Sequence, residues 1–534
     1  MAKSTKMWLL VIMLFAVFFR FWDITNIPPG LYPDEAMNGS NTLEAIETGD
    51  YKVFYPENNG REGLFINIQS IFVRFIGAEP WALRLPSAIF GTFTILGIFF
   101  LSRILFKNDR LALFASFFTA VSFWHINFSR IGFRAITAPF FLVWGLYFLM
   151  RIYHDKGSTK SQTLSAAIGG FLFGLGANSY IAYRITPLIA AIPIIIGFIK
   201  FGKKDPSRKS CFPCLAVLYI FFAFAAIIPL LIFFAENPAD FFGRTAKISV
   251  FSELSPLAKL AFNVLKTIGM FWYHGDFNWR HNFAGEPELF WPVGLFFAVG
   301  LFTAIKNLFR KNFNSFFLLA WFFITLLPVV ISSEGLPHAL RAIISIPAVM
   351  IIAAWGLEFT ASKIEAWLDV KKIAFPEKIL QIERIQWELK VFLLVGLLGV
   401  GVNAFNQYFL RWSAKPEVVD AFAENYTNIA KYLNTLPDNL SKYVIVNADG
   451  VDVKGIPMPA QPVMFQTKTF LASGQQKRNI NYLLPDSIPY DKINNENDAV
   501  VVMLENDPLL RKNLLNKIQN LHTEIKGGIL VLIK

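Results

Sequence analysis

Eleven apolar runs leave this chain little choice of solvent: Met7 to Trp22, Trp81 to Leu101, Leu111 to Phe128, Ile136 to Met150, Leu164 to Ala177, Ile185 to Ile199, Cys214 to Ala235, Phe290 to Ile305, Phe316 to Ser332, Ala342 to Phe359 and Val391 to Phe405. A soluble core has no room for so many. With 54% hydrophobic and 16% charged residues among 534, and a mean hydropathy of +0.45, the bilayer is the solvent that accounts for them. In lipid each run must satisfy its own backbone, so each is expected to be a helix. Several are shorter than the roughly 20 residues a full span needs, so their ends must reach into polar flanks.

The loops between these runs alternate in charge. Arg103, Lys107 and Arg110; Arg151, Lys156 and Lys160; Lys200, Lys203, Lys204, Arg208 and Lys209; and Lys306, Arg310 and Lys311 form basic loops that belong in the cytoplasm. Lys363 to Lys390 falls on the same side by parity. The net charge of +12 is thus a topogenic signal and does not call for a nucleic-acid partner. Met7 to Phe19, behind Lys3 and Lys6 and with no small-residue cleavage site after it, reads as an uncleaved signal anchor with a cytoplasmic N-terminus. Cys211 and Cys214 stand at the inner end of a run and read as membrane-edge thiols rather than as a metal or redox pair.

By the same parity the segments 23–80, 130–134, 180–184, 236–289 and 333–341 face outward, as does everything after Arg411. The expected division is therefore a transmembrane domain, 1–411, whose first outer loop 23–80 is catalytic, and a soluble extracytoplasmic domain, 412–534. In the latter, Val418 to Leu433 and Leu509 to Ile518 have helical periodicity, and Tyr443 to Asn447 and Ala499 to Leu504 read as buried strands. A small α/β fold follows.

The first outer loop carries the chemistry-bearing residues. Pro33-Asp34-Glu35 opens a helical stretch that ends near Thr48. Asp34 there is either a helix N-cap with Glu35 as a first-turn acid, or a general base at the membrane surface; one role does not exclude the other. Arg61 and Glu62 open a second, amphipathic run with Leu64, Ile68, Ile71 and Phe72 on one face, suited to the interface plane. They are either exposed helix-end charges or neighbours of Asp34.

Pro33-Asp34-Glu35, Thr48-Gly49-Asp50, Gly60-Arg61-Glu62-Gly63-Leu64-Phe65 and Trp81-Ala82-Leu83-Arg84-Leu85-Pro86-Ser87, in this order within one topology, resemble the membrane glycosyltransferases of the GT-C fold, nearest the protein O-mannosyltransferase and lipid A aminoarabinose transferase group. The resemblance covers roughly residues 1 to 360. It implies a sugar donor linked to polyprenyl phosphate, an acceptor hydroxyl on a protein, lipid or glycan, and inversion at the anomeric carbon. Asp34, with Glu35, matches the catalytic acid position. Where aminoarabinose transferases tend to carry Lys-Pro-Pro, this chain has Arg61-Glu62-Gly63, so its donor contacts differ from theirs.

A departing lipid phosphate needs cations. Arg61 is one candidate; Arg130 and Arg134 are i,i+4 partners if their turn is helical, and Arg184 stands at another outer helix end. His338 and Arg341 follow Pro337, which suits the first turn of a helix whose amides also attract anions. Snorkelling Arg and interfacial His give the same pattern. Glu62, Trp272, Tyr273 and His274 are the candidate substrate-binding residues, although an interfacial aromatic belt has the same composition. No metal site is fixed by spacing: Asp34, Glu35 and Glu62 are a conceivable divalent-cation set, as are His274, Asp276 and His281. The reading is a multi-pass plasma-membrane hexosyl or pentosyl transferase. A transporter or flippase of a lipid-linked substrate would instead place polar or broken helices at the bilayer midplane, and a non-catalytic scaffold would leave the outer-loop acids unexplained.

Overall fold

The structure, a computed structural model, describes residues 2–201, 208–241, 250 and 255–534. Lys203 and Lys204 of the expected basic loop lie outside the described residues, as do 242–249 and 251–254 of the 236–289 segment. In chain order the helices through the apolar runs and their connections are α1 (Lys3–Phe21), α2 (Pro33–Thr48), α3 (Gly63–Ile76), α4 (Pro80–Phe106), α5 (Asp109–Ala120), α6 (Phe123–Arg130), α7 (Thr137–Tyr153), α8 (Thr159–Leu175), α9 (Pro187–Phe201), α10 (Phe212–Glu236), α11 (Pro256–Gly269), α12 (Trp291–Leu308), α13 (Phe313–Val330), α14 (Ile346–Ala374) and α15 (Ile379–Phe405). Ten of the eleven runs fall mainly on one helix each, and the run Leu111 to Phe128 is divided between α5 and α6. Among the described residues, nine helices are long and apolar enough to cross a bilayer. The α5–α6 pair, bent by 57°, makes ten if it is one span. The run from Leu164 to Ala177 is the one that falls short, since α8 has only 17 residues.

The chain divides into two compact units. The first comprises 1–22, 87–130 and 134–412, and the second 23–86, 131–133 and 413–534. This does not follow the boundary at 411/412 that the sequence suggests, because the first loop groups with the tail.

In the first unit α8 packs against α7 and α10. Gly170 and Gly174, one turn apart, lie against the carbonyls of Tyr219 and Ala223, where a Cβ would collide. Small residues let two helix backbones approach where lipid offers no hydrophobic drive. Fully buried Trp124 and Trp321 donate their indole N–H groups to Ala339 O (3.1 Å) and Ile344 O (3.2 Å), fixing the segment before α14. α11 is amphipathic: Leu257, Phe262 and Leu265 are exposed, while buried Asn263 donates to Val330 O and Ser332 O, both at 2.9 Å. Cys211 and Cys214 form a disulfide, correcting the expectation of free thiols. Cys211 caps α10 and Cys214 sits three residues on, so one helical turn brings their Cα atoms within 5.4 Å.

The second unit contains the hairpin β1 (Phe54–Tyr55) and β2 (Arg61–Glu62), and a five-stranded sheet. Its strands, with those of a further small hairpin, are β3 (Ser441–Ile445), β4 (Asp452–Val453), β5 (Ile456–Pro457), β6 (Ile480–Leu483), β7 (Ala499–Met503), β8 (His522–Lys526) and β9 (Ile529–Ile533). The sheet order is β6-β3-β7-β9-β8, with β3 parallel to β6 and β7, and β9 antiparallel to β7 and β8. Period-2 alternation gives each strand two apolar faces: Val444, Val500 and Val502 to one core, Tyr443, Ile445 and Val501 to the other. The helix expected over Val418 to Leu433 is broken, because Ala423 takes φ of 49° between Pro416–Ala421 and Glu424–Thr435.

α2 is part of this unit's core. Met37 packs with Tyr426, Ile429 and Met464, Gly39 lies flat against the Phe465 ring, and Ser40 Oγ donates to Gln461 Oε1 at 2.8 Å. α3 shows an apolar face outward, with Ile71 and Phe75 exposed, as an interface-plane helix requires.

Candidate functional site

In the second unit, Pro33 takes the first helical position of α2 and Tyr32 is its N-cap, so Asp34 is not the cap. The cap falls two residues earlier because a proline at the first position needs no N–H partner. Glu35, three residues past the cap, reaches back to Tyr32 N–H at 3.4 Å. Its side chain is fully buried and held by Arg84, through Nε to Oε1 (3.1 Å) and Nη2 to Oε2 (3.2 Å). Gly132 N–H donates to the same Oε1. Arg84, itself buried, also donates to Pro28 O (2.6 Å) and Gly30 O (2.8 Å). Glu35 and Arg84 thus staple the 28–30 turn, α2, α4 and residues 131–133 together. An isolated charge in such a place would be prohibitive; paired and hydrogen-bonded, it is sustainable.

Asp34 points elsewhere. It is half-buried, and Asn58 Nδ2 donates to its Oδ1 at 2.6 Å. Two adjacent acids therefore have different fates: Glu35 is committed to structure, and Asp34 keeps an accessible carboxylate. Arg61 and Glu62 are both buried in β2, not exposed helix-end charges. Arg61 donates to Asn38 Oδ1 (2.7 Å), Asn41 Oδ1 (2.5 Å) and Glu57 O (3.3 Å), bracing α2. Asp34, Glu35 and Glu62 do not assemble as a metal donor set. Glu35's oxygens are held by Arg84 and Gly132.

In the first unit, the loop 270–290 and the segment 332–342 make a second cluster. Asp276 Oδ2 lies 3.0 Å from His281 Nδ1 and 3.6 Å from His338 Nδ1, and the two imidazoles stack with centroids 4.9 Å apart. Two backbone groups orient the carboxylate: Asn278 N–H donates to Oδ1 (2.8 Å) and Ala339 N–H to Oδ2 (2.9 Å). Burial pushes the Asp276 carboxyl up. The hydrogen bond from His281, the charges of His281 and His338, and the Asn278 N–H outweigh it and hold the group below the usual carboxylate range. Glu288 accepts from Asp276 N–H at 3.0 Å, and its other oxygen is buried without a partner. Burial, reinforced by the charge of Asp276, pushes the Glu288 carboxyl well above its ordinary value.

His338 and Arg341 do not share a helix face. The residues after Pro337 form turns and a 3₁₀ segment, and α14 begins only at Ile346. The backbone is instead bent to bring Ala339 N–H to Asp276. Arg341 donates to Ser332 Oγ and to Glu334 O (2.8 Å), and stays partly exposed. Arg130 and Arg134 are not one helical pair, since the helix stops at Arg130 and 131–133 are extended turns. Arg130 is fully buried, donating to Phe19 O (3.1 Å) beneath the Phe409 and Tyr408 rings, whereas Arg134 is partly exposed beside Tyr180. Arg184 donates to Phe241 O at 2.9 Å. Trp272 is structural, bonded to Gly294 O (2.8 Å) and stacked on Phe297, while Tyr273 and His274 are exposed.

Sequence reading missed three participants. Arg84 was visible within Trp81 to Ser87, as a charge in a span that demands a partner. Asn58 and Glu288 had no local signal.

Residues 64–233 match the family described as dolichyl-phosphate-mannose-protein mannosyltransferase. No curated protein matches the chain. Among solved structures, ArnT from Cupriavidus metallidurans bound to undecaprenyl phosphate aligns with a TM-score of 0.59 at 14% identity, over 100% of this chain and 98% of that one. Its apo form aligns with the same score over 99% and 98%. The archaeal oligosaccharyltransferase AglB from Archaeoglobus fulgidus, in complex with an inhibitory peptide and a dolichol-phosphate, aligns at 0.49 and 16% identity over 94% and 69%. The fold is that of the GT-C membrane glycosyltransferases, multi-pass with a small C-terminal sheet domain. Within that class the chain resembles the protein mannosyltransferase and ArnT group.

Proposed function

We propose that this protein is an inverting glycosyltransferase that moves a sugar from a polyprenyl-phosphate donor to an acceptor hydroxyl at the outer face of the membrane. The observation that carries the reading is the division of labour at the start of α2: Glu35 is locked by Arg84, while Asp34 next to it stays accessible and is oriented by Asn58. Asp34 removes the acceptor's proton as that oxygen attacks the anomeric carbon. The lipid phosphate leaves with the bonding electrons. A general base of this kind contributes about 10² to 10⁴ in rate. Its carboxylate is within reach of solvent, and the helix that carries it fixes its direction.

Arg341 is the residue assigned to the leaving phosphate, with Arg134 second; both are partly exposed cations, unlike Arg61 and Arg130. His338 is turned to Asp276 and assists only through that segment. Support comes from the GT-C fold, from the mannosyltransferase match over 64–233, and from the ArnT structure, which holds undecaprenyl phosphate. The test is incubation of the purified protein with radiolabelled polyprenyl-phosphate sugars, hexosyl and pentosyl, and a panel of protein, lipid and glycan acceptors. Transfer with inversion supports the reading. Movement of the intact lipid-linked sugar across a vesicle membrane, with no transfer to any acceptor, would replace it with a flippase.

A further inference from the structure

The geometry points to a divalent transition-metal site of the zinc class formed by Asp276, His281 and His338. Among the described residues, these three are the one His, Cys, Asp and Glu group whose donor atoms gather closely enough, all within 4.8 Å of one another. Two imidazoles and a carboxylate are the donor set that zinc accepts, with three protein ligands and a fourth position left open. Ligand atoms about 2.0 to 2.2 Å from a tetrahedral ion stand about 3.3 Å from each other. The 3.0 and 3.6 Å separations from Asp276 Oδ2 to the two Nδ1 atoms bracket that value.

The surroundings are those of a built site. Asp276 and His281 are only 4% and 7% exposed. The Asn278 and Ala339 N–H groups set the carboxylate's direction, and the stacked rings hold both imidazoles against rotation. Outer partners of this kind are what tune metal affinity. A buried carboxyl, Glu288, adjoins Asp276 by accepting the Asp276 N–H at 3.0 Å, which holds the backbone of the liganding residue in place.

The ion would join two segments distant in sequence, 276–281 and 338. It would act as a tether, holding the turn that carries Arg341 three residues further on. The inference stands on these residues alone and does not depend on the glycosyltransferase reading.

The test uses the full-length protein in detergent, with any affinity tag removed and metal stripped by chelator. Titration with CoCl₂ should give visible absorption bands that saturate at one equivalent and are displaced by ZnCl₂, and ZnCl₂ should raise the melting temperature. His281→Ala and, independently, His338→Gln should weaken cobalt binding by 100-fold or more and abolish the thermal shift. Wild-type protein that takes up no cobalt above a buffer control overturns the site and leaves a plain Asp–His hydrogen-bonded cluster. Binding that persists unchanged in both histidine variants equally overturns it, by placing the metal elsewhere.

Discussion

The two acidic clusters neutralise buried carboxylates in opposite ways. At Glu35 the counter-charge is Arg84, which is permanently charged and forked, and which carries further bonds to Pro28 O and Gly30 O. At Asp276 the neighbours are two imidazoles, whose Nδ1 atoms lie 3.0 and 3.6 Å from the carboxylate. The first arrangement occupies both Glu35 oxygens, through Arg84, Gly132 N–H and Tyr32 N–H. In the second, the ion proposed above would sit between those ring nitrogens and the carboxylate. An acid's chemical availability is thus set by what closes it off, and Asp34, one residue from Glu35, escapes because only Asn58 among the described side chains bonds it.

The change that breaks this contrast most severely is Asp34→Asn. It keeps the side chain's size and its bond from Asn58, and should lower transfer by about 10² to 10⁴ with donor binding and melting temperature unchanged. A variant that transfers sugar at the wild-type rate would show that Asp34 is not the base. Arg84→Ala should strike stability instead. Leaving Glu35 buried and unpaired costs about 3 to 5 kcal/mol, read as loss of folded protein by fluorescence-detected size exclusion. Arg84→Ala with Glu35→Gln should recover part of that loss, since the uncompensated charge is gone.

Arg341→Ala should weaken donor use more than acceptor use, by about 1.5 to 3 kcal/mol in kcat/KM for the lipid-linked sugar. Unchanged donor kinetics in a folded variant would transfer the role to Arg134. Asn58→Ala is the mildest probe. Losing one partly exposed bond to Asp34 should cost about 1 kcal/mol, or roughly fivefold in kcat, with no change in melting temperature. An equal loss of stability would make Asn58 a loop brace rather than an orienting residue.

The helices were legible because lipid demands an internally bonded backbone, which writes each one into the sequence as an apolar run. The strands Tyr443 to Asn447 and Ala499 to Leu504 were legible as β-branched runs in a polar tail, whereas β8, with exposed His522 and Thr523, had no such pattern. The site was legible as residues and not as geometry. Asp34 could be picked out, but its N-cap was misplaced by two positions because Pro33 takes the first helical turn. The pairings of Arg130 with Arg134 and of His338 with Arg341 assumed helices that the chain does not make there. Glu35 with Arg84 and Asp276 with His338 are contacts between segments 49 and 62 residues apart. No local periodicity encodes them.

The second unit's assembly from separated stretches also has a consequence in time. During synthesis α2 is made well before Tyr426, Gln461 and Phe465, against which it packs. At about 5 to 20 residues per second, the intervening chain takes on the order of 20 to 80 seconds to translate. Throughout that interval Met37 has no core to enter. The nascent protein must keep a half-packed first loop from sticking to its neighbours until residues 426–465 arrive, and a message truncated near residue 420 would yield a membrane-inserted chain in which α2 lacks those packing partners.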